Sequence, residues 1–325
     1  MRPVPRGTGF FVETVRISVQ AALVIKARIL ADSISPSGIR LCTFLVTYPR
    51  FVHAEHLRHR TQSFNVASSR AIPTSKFAAL VRDSAVEPVW WGKNQPGMQA
   101  AEALTGESLR LARQLWLDAK ASMLQVHAWM EQCHLHKQIA NRILEPWMPV
   151  TVLVSATNWA NFFSLRSHPD AQPEMCALSD AMLCAFCASE PVRRAVGEWH
   201  VPFGDRMDPA WSPEDQRKVA VARCARLSYL TFDSTMDLTA DIALHDRLAD
   251  SRHWSPFEHV ARCSDKDAYF GNFRGWEQYR QMVDPGVGER DNWDRHADFF
   301  RNLLLERRQA GSPYARGATV GLEPD

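Results

Sequence analysis

One apolar segment, residues 39–51 (IRLCTFLVTYPRF), constrains the fold more than any other part of the chain. It is rich in β-branched and aromatic residues and has Pro49 near its end, a composition that predicts a β-strand. Residues 24–30 are similarly apolar and predict a second strand. Residues 1–22 precede both strands, and we predict that they form an N-terminal extension.

A helical pattern occupies the middle of the chain, from about residue 99 to residue 144. Its apolar residues recur at steps of three and four, which is typical of an amphipathic helix whose apolar side faces the core. They are Ala112, Leu115, Ala119, Met123, Val126 and Met130. A length of 325 residues suits one large domain. Residues 23–310 are predicted to form that single domain, and residues 311–325 a flexible tail.

The composition excludes several classes of protein. A net charge of +2 does not indicate a general nucleic-acid-binding surface. No unbroken apolar run reaches the roughly 20 residues that a membrane span needs. Seven scattered cysteines indicate a reducing compartment rather than a disulfide framework, so a cytoplasmic location is predicted. Cys184 and Cys187 form a CxxC pair without further metal ligands, and we predict that both are packing residues.

Residues 57–70 (LRHRTQSFNVASSR) concentrate groups that bind anions. Guanidinium groups can bind phosphate bidentately, and serines offer hydroxyl and backbone donors. The arginines are Arg58, Arg60 and Arg70, and the adjacent serines are Ser68 and Ser69. This composition fits a phosphate-bearing nucleotide site, and it fits a solvated loop with surface ion pairs equally well.

Other charged groups lie in apolar surroundings. Arg142 stands in KQIANRILEPW, and Arg166 stands in NWANFFSLRSHPDAQPE. An arginine on an apolar helix face is costly unless it is paired with a charge. An internal ion pair, for example with Glu145 or Glu174, explains each arginine taken singly. Several such groups in one chain favour a shared anionic ligand.

The motifs of common cofactor and catalytic sites do not occur in the sequence. No GxGxxG follows a predicted strand, and neither GxxxxGK[ST] nor GxSxG is found. His134 and His136 have no accompanying ligands, so no metal site is predicted. A nucleotide-handling chain without these motifs needs another scaffold.

Five blocks of the sequence resemble the signature of the flavin-dependent thymidylate synthase family. The first is Arg58–His59–Arg60 followed by Ser68, and it also matches at Ser63, Asn65 and Arg70. The other blocks lie at residues 142–146, 161–174, 225–229 (ARLSY) and 253–259 (HWSPFEH). In the common form of the family the last two blocks precede the first. The order here resembles a circular permutation, as in phage-type members.

The resemblance implies an α/β (α+β) fold, with a twisted central β-sheet flanked by helices and a permuted strand order. It implies an enzyme that reductively methylates dUMP to dTMP, and a homotetramer. FAD is the implied cofactor, NADPH the reductant and methylene-tetrahydrofolate the one-carbon donor. Residues 23–310 would be the catalytic domain, and no membrane or direct nucleic-acid partner is expected. Residues 271–282 and 291–300 are left without a role.

The resemblance also implies three sets of site residues. The catalytic residues are Ser68 and Arg166. The residues that contact FAD are Arg58, His59, Arg60, Asn65, Ser68, Asn161, Ser228, Ser255 and Glu258. The residues that contact dUMP are Glu55, Arg58, Ser68, Ser69, Arg70, Arg142 and Arg166. The stretch from Ser68 to Arg70 would hold the phosphate, and Arg166 would face the pyrimidine, where a fixed cation stabilises developing charge.

Several positions depart from the family pattern. Ser155 and Thr157 replace an asparagine and an arginine that help to hold FAD. Val66 replaces a glutamate and Glu55 replaces a glutamine, which leaves the base specificity open. An ionised carboxylate only accepts hydrogen bonds, so it suits an amino group or a ribose hydroxyl better than a carbonyl. Two alternatives therefore remain: an enzyme that modifies C5 of a pyrimidine nucleotide for phage DNA, such as a hydroxymethylase or a dCMP-directed enzyme, and a non-catalytic nucleotide-binding relative.

Overall fold

The structure is a computed structural model, and it describes residues 24–284 and, beyond them, only Asn302, Leu305 and Glu306. The chain divides into a compact unit that ends at Val283 and a second unit that begins at Asp284. The predicted extension, residues 291–300 and the predicted tail lie outside the described residues. The predicted limits of the single domain stay a prediction.

A five-stranded sheet forms the centre of the first unit. Its strands are β1 (Lys26–Ile34), β2 (Arg40–Pro49), β3 (Ser63–Val66), β4 (Pro149–Ala156) and β5 (Val192–Arg193). They lie in the order β3-β4-β2-β1-β5 and are antiparallel, except that β5 pairs with β1 in parallel. The two strands predicted near the start of the chain are confirmed as β1 and β2.

Both faces of the central strands are buried. Because side chains alternate along a strand, neighbouring residues reach opposite faces. Phe44 and Val154 belong to the core on one face, which Met175 and other helical residues complete. Leu45 and Leu153 belong to the core on the other face. Burial on both sides explains why β2 is mostly apolar, interrupted after Arg40 only by Thr43 and Thr47.

A smaller sheet packs beside the first one. Its strands are β6 (Trp199–His200), β7 (Ala261–Cys263) and β10 (Trp276–Gln278), in the order β10-β7-β6. A hairpin of β8 (Tyr269–Phe270) and β9 (Phe273–Arg274) connects β7 to β10. The small sheet meets β2 in a core of its own, formed by Leu41, Ala261, Cys263, Phe273 and Trp276.

Helices surround the two sheets. They are α1 (His53–His56), α2 (Thr74–Asp83), α3 (Gly106–Gln132), α4 (Lys137–Ala140), α5 (Ala160–Arg166), α6 (Pro173–Ala188), α7 (Pro213–Arg226), α8 (Leu238–Asp250) and α9 (Arg280–Val283). Three of them carry side-chain caps: Ser212 accepts from the Asp215 amide, Asp237 from the Ala240 amide and His136 from the Gln138 amide. The mixed α/β fold with a helix-flanked central sheet is therefore confirmed.

The long helix α3 packs through only part of the face that apolar periodicity predicts, since Met123 packs against the core. Leu115 is 57% exposed and Ala119 is also exposed, so the prediction that they face the core is wrong. The buried residues of α3 are Lys120 and His127. The Lys120 amine donates to backbone carbonyls at 2.7 and 3.1 Å, which fixes the rotation of the helix. A polar anchor of this kind gives no apolar signal in the sequence.

Two other sequence features can be compared with the described residues. No helix within residues 24–284 is both long enough and apolar enough to cross a membrane. Cys184 and Cys187 are exposed on α6, so the prediction that they are packing residues is wrong. Both are free thiols in the structure.

Candidate active site

The loop between α1 and β3 carries the Arg–His–Arg block. Backbone hydrogen bonds wind this loop tightly: the amide of Arg58 donates to the Glu55 carbonyl, and the amide of His59 donates to the His56 carbonyl. Arg58 and Arg60 are exposed, and neither guanidinium forms an ion pair with a described residue. Both arginines are available to an anionic ligand or to solvent.

His59, Arg166 and Glu55 meet beside this loop. The Arg166 Nε donates to the His59 Nε2 at 2.9 Å, and the Arg166 Nη1 lies 3.8 Å from the Glu55 Oε2. Burial, followed by the charges of Arg166 and Arg58, lowers the pKa of His59 to about 4. His59 is therefore neutral at pH 7 and accepts the hydrogen bond. Three predicted site residues form one cluster here, and Glu55 rather than Glu174 is the carboxylate near Arg166.

Buried aromatic residues support the loop from below. The Tyr48 hydroxyl lies 2.7 Å from the His53 Nδ1 and 2.9 Å from the His56 Nδ1. Burial lowers the pKa of His53 to about 4 and that of His56 to about 3. The rings of Phe162 and His59 meet edge to face at 4.9 Å. These contacts connect the loop to the buried core.

The loop after β3 contains Ser68, Ser69 and Arg70. Its first amide, that of Ser68, donates to the Ser228 carbonyl at 3.1 Å. The amides of Ser69 and Arg70 donate no hydrogen bond to any residue within 24–284. Two adjacent free amides beside an exposed arginine are suited to bind an anion.

Asn141 and Glu145 hold this second loop in place. The side-chain amide of Asn141 donates to the backbone carbonyl of Ser69 at 2.7 Å and to that of Ile72 at 3.0 Å. Glu145 accepts from the Ser69 hydroxyl at 2.5 Å and from the Arg142 guanidinium at 2.8 Å. The internal pair of Arg142 and Glu145, considered in the sequence, is therefore present. Because Glu145 bonds to both residues, Arg142 lies beside the Ser68–Arg70 loop. The sequence predicted that Arg142 and this loop contact the same ligand.

A cavity of about 940 Å³ unites residues from three distant blocks. Asn65 comes from β3, Ser228 from the turn after α7, and Ser255 from the HWSPFEH block. Arg247 of α8 also lines the cavity. The Asn65 amide donates to the Cys224 carbonyl at 3.1 Å, whereas its Oδ1 is buried and lacks a partner among the described residues. We call this space the flavin cavity, after the ligand expected to contact these residues.

Six of the nine residues predicted to contact FAD do not line the flavin cavity: Arg58, His59, Arg60, Ser68, Asn161 and Glu258. Glu258 does not line the flavin cavity, and its carboxylate accepts from Arg280 at 2.6 Å. Asn161 is exposed at the start of α5 and does not line the cavity either. Sequence reasoning missed Arg280, because nothing local marks a partner that lies 22 positions away.

The previously unassigned residues 271–282 pack against β3. The side-chain amides of Asn272 and Gln278 donate to the Ser63 hydroxyl at 3.1 and 3.0 Å. The Gln278 amide also donates to the Glu258 carbonyl at 3.0 Å. This segment therefore fixes β3 and the HWSPFEH block relative to each other.

A buried chain of hydrogen bonds runs between the two sheets. From one end to the other it contains Ser33, His200, Thr43, Ser155 and His259, joined by contacts of 2.9, 2.8, 2.6 and 2.8 Å. Each of these residues is at most 1% exposed. We call it the polar chain. Ser155 departs from the family pattern, and its burial excludes direct contact with a ligand.

Comparisons with known proteins agree with the motifs. The model of the family described as thymidylate synthase complementing protein matches residues 33–192. The chain belongs to this family. The membership expected from the motifs is confirmed, while the permuted order of its blocks stays a prediction. No curated protein matches the sequence.

Solved structures of similar proteins include two kinds. The UMP/dUMP methylase PolB from Streptomyces cacaoi bound with 5-Br UMP is 18% identical; the match covers 50% of this chain and 88% of that chain, with a TM-score of 0.40. Thymidylate Synthase X (ThyX) from Helicobacter pylori with FAD and dUMP is 20% identical; the match covers 45% of this chain and 67% of that chain, with a TM-score of 0.32.

In this member of the thymidylate synthase complementing protein family, two of the five sequence blocks lie outside residues 33–192, the range that the family model matches. They are residues 225–229 and 253–259. Both blocks nevertheless line the flavin cavity beside Asn65 of β3. Among the described residues, no group of three or more His, Cys, Asp or Glu side chains is placed to hold a metal ion.

Proposed function

We propose that the chain reductively methylates dUMP to dTMP, with FAD as cofactor, NADPH as reductant and methylene-tetrahydrofolate as one-carbon donor. The observation that carries this proposal is the flavin cavity, where Asn65, Ser228 and Ser255 converge from blocks far apart in sequence. Next to it, the Ser68–Arg70 loop offers free amides and an exposed arginine. Two neighbouring sites for phosphate-bearing ligands are what such a reaction requires.

The residues of the cavity fit a flavin nucleotide. The buried, unpartnered Oδ1 of Asn65 needs a hydrogen-bond donor, and the edge of a flavin ring carries one. Ser228 and Ser255 supply hydroxyl groups, and Arg247 supplies positive charge for a phosphate. A volume of about 940 Å³ lies in the range of cofactor sites. The flavin would supply the hydride-transfer chemistry that the side chains of the chain lack.

The second ligand, dUMP, would bind through its phosphate to the Ser68–Arg70 loop. The amides of Ser69 and Arg70 would donate to the phosphate, and the Arg70 guanidinium would add a charge-assisted contact. Arg142, held by Glu145, would approach from the side of the Ser69 hydroxyl. Phosphate contacts of this kind orient the nucleotide.

Arg166 would act on the pyrimidine. Its guanidinium is oriented by the neutral His59 and by Glu55, so its charge is fixed before the nucleotide binds. A preorganised cation stabilises negative charge that develops on the ring, and it does so most strongly where water is excluded. Ser68 is proposed to contribute its hydroxyl beside the same ring.

A second candidate function rests on Glu55. Its carboxylate lies 3.8 Å from Arg166, at the place where the family commonly has a glutamine amide. An acceptor at this position favours a cytosine amino group or a ribose hydroxyl over a uracil carbonyl. The alternative reaction is therefore modification of C5 in dCMP, or hydroxymethylation for phage DNA.

Purified protein tests both candidates. We expect a yellow protein whose flavin absorbance is bleached by NADPH, and dTMP as the product from dUMP. Product analysis with dUMP, UMP and dCMP in parallel separates the two reactions. A colourless protein that cannot be loaded with FAD would contradict both. Flavin and dUMP binding without turnover would indicate a non-catalytic relative.

The homotetramer and the cytoplasmic location are part of the same proposal. Active sites shared between subunits would give the exposed Arg58 and Arg60 a ligand or a partner chain to contact. Light scattering of the purified protein should give four times the mass of 36.8 kDa. A monomer that turns over dUMP would contradict the shared-site arrangement without contradicting the reaction.

A further inference from the structure

A second cavity, of about 840 Å³, shares no lining residue with the flavin cavity. It is bounded by β1, by residues 190–205 around β5 and β6, and by the first turn of α7. Ile29, Leu30 and Val201 give it an apolar wall. None of its lining residues belongs to the five family blocks. The proposed reaction therefore leaves this second cavity without a role.

Two arginines line the second cavity without a counter-charge. The guanidinium groups of Arg194 and Arg217 form no ion pair and no hydrogen bond with a residue in the described part of the chain. The Nε atoms of both are buried and unpartnered. Arg217 instead lies over the Trp199 ring, 4.5 Å from its centre. A buried guanidinium donor without a partner is costly, so an acceptor in the cavity would stabilise both residues.

The four carboxylates that line the second cavity do not bond to either arginine. Asp32 is already bound by Arg40 at 2.5 and 2.8 Å. Glu198 accepts from the Ala195 amide at 2.8 Å. Glu190 and Asp205 are exposed, so water screens them far more than it screens the buried Nε atoms. The two guanidinium groups therefore lie beside an apolar wall and an indole ring, and no described carboxylate forms an ion pair with either of them.

We propose that the second cavity binds an organic anion, a carboxylate or phosphate attached to a planar or apolar group. Arg194 and Arg217 supply charge-assisted hydrogen bonds to the anionic end. Trp199 and the apolar wall take the planar end. The volume of about 840 Å³ accommodates a ligand of cofactor or metabolite size.

Calorimetric titration of the full chain with small probes tests this proposal. Benzoate and phenyl phosphate carry an aromatic ring with an anionic group, and benzyl alcohol has the same ring without charge. We expect saturable binding of at least one anion, and binding of benzyl alcohol weaker by about tenfold or more, the effect of losing a hydrogen bond to a charged group. The stronger of the two anions identifies the headgroup. Equal binding of the charged and neutral probes, or no saturable binding, overturns the proposal.

Variants locate the probe. Arg194→Gln and Arg217→Gln should each weaken anion binding about tenfold, and Arg217→Lys, which keeps the charge, should weaken it less than Arg217→Gln. Arg193→Gln is the matched control, because Arg193 is the exposed neighbour of Arg194 and does not line the second cavity. Arg247→Gln, in the flavin cavity, should also leave binding unchanged. Loss of binding in Arg247→Gln alone places the probe in the flavin cavity and overturns the proposal.

Discussion

Arg70 carries an exposed guanidinium group that forms no ion pair with a residue in the described range 24–284. Its loss should therefore leave the free protein almost unchanged and affect only the ligand. We predict that Arg70→Ala weakens dUMP binding by about 1.5–3 kcal/mol, the contribution of one charge-assisted hydrogen bond. Calorimetric titration with dUMP measures this difference.

Arg82→Ala is the control for that experiment. Arg82 is also exposed, but it lies at the end of α2 and outside the proposed site. The variant removes the same charge and should keep the affinity for dUMP. Equal affinities in the two variants would refute the proposed phosphate site.

The pKa of His59 depends on the charge of Arg166. Burial is the largest cause of its lowered pKa of about 4, and the charge of Arg166 is the next. We predict that Arg166→Gln raises this pKa while leaving it below the usual 6.5, because burial persists. A pH titration of the His59 ring by NMR measures the shift.

Arg60→Gln is the matched control for His59. Arg60 lies next to His59 in sequence, but its side chain is not among the causes that lower the pKa. The pKa of His59 should therefore stay the same in this variant. A similar rise in both variants would show that Arg166 has no special relation to His59.

At the scale of residues, the sequence predicted which residues line the cavity better than it predicted which residues hold the site in place by hydrogen bonds. The resemblance to the family motifs singled out Asn65, Ser228 and Ser255, which the structure brings together at one cavity. It did not single out Asn141 or Arg280, because an asparagine and an arginine in ordinary surroundings resemble any surface residue. Their importance comes from partners that lie 22 or more positions away.

One buried ion pair fastens α7 to α8. Arg223 and Asp241 are at most 1% exposed and hydrogen-bond to each other. Arg226, which lines the flavin cavity, donates to the same carboxylate at 2.7 Å. The pair therefore sets the position of two helices that bound the cavity.

We predict that Asp241→Ala destabilises the fold by about 3 kcal/mol or more, because it leaves the buried charge of Arg223 uncompensated. Urea unfolding measures the free energy of unfolding. Asp250→Ala, at the exposed end of the same helix, should change that energy by less than about 0.5 kcal/mol. Equal changes in the free energy of unfolding for the two variants would mean that the Arg223–Asp241 pair does not stabilise the fold.

At the scale of elements, apolar runs predicted strands well and helix faces poorly. Both faces of β2 are buried, so its composition alone identifies it. Helix α3 has many exposed apolar residues, and its contact face contains the buried Lys120 and His127. Periodicity of apolar residues does not reveal an anchor made by hydrogen bonds to carbonyls of another segment.

At the scale of the whole molecule, burial lowers the pKa of five histidines of the described residues far enough to keep them neutral at pH 7. The pKa is lowered to about 4 for His53 and His59, and to about 3 for His56, His200 and His259. Above the unfolded pKa of 6.5 both states are neutral, and the histidines do not make stability depend on pH. Below it the unfolded chain binds protons that the folded chain does not, so stability falls as the pH drops from 6.5 towards 3.

We predict a loss of roughly 1.4 kcal/mol at pH 5.5 for each fully buried histidine. Urea unfolding at pH 7.5, 6.5 and 5.5 measures the sum. His200→Gln should reduce the dependence on pH, and His168→Gln, which changes an exposed histidine, should not. A free energy of unfolding that stays constant down to pH 5 would contradict the lowered pKa values.

The topology of the whole molecule was only partly accessible from the sequence. A permuted order of blocks is compatible with one site because residues 225–229 and 253–259 reach the flavin cavity beside Asn65 of β3 whatever their place in the chain. Which strands neighbour each other depends on long-range packing. The parallel placement of the two-residue strand β5 beside β1, for example, has no local signal.

The polar chain has a consequence for the order of its protons. Both of its histidines are neutral at pH 7, so each carries a single N–H, and each hydroxyl has one hydrogen. If each of the four bonds holds one hydrogen, and Thr43 and Ser155 both donate within the polar chain, only two arrangements remain, and they point in opposite directions. One leaves a bare nitrogen at the buried Nε2 of His259, and the other leaves an N–H there without a partner. The first avoids an orphaned donor and should prevail. His200 lies beside Ser33, which lines the second cavity. Moving the proton of His200 to its other ring nitrogen would then require the hydroxyls of Thr43 and Ser155 to reverse direction as far as His259. Otherwise one hydrogen bond of the polar chain would be lost.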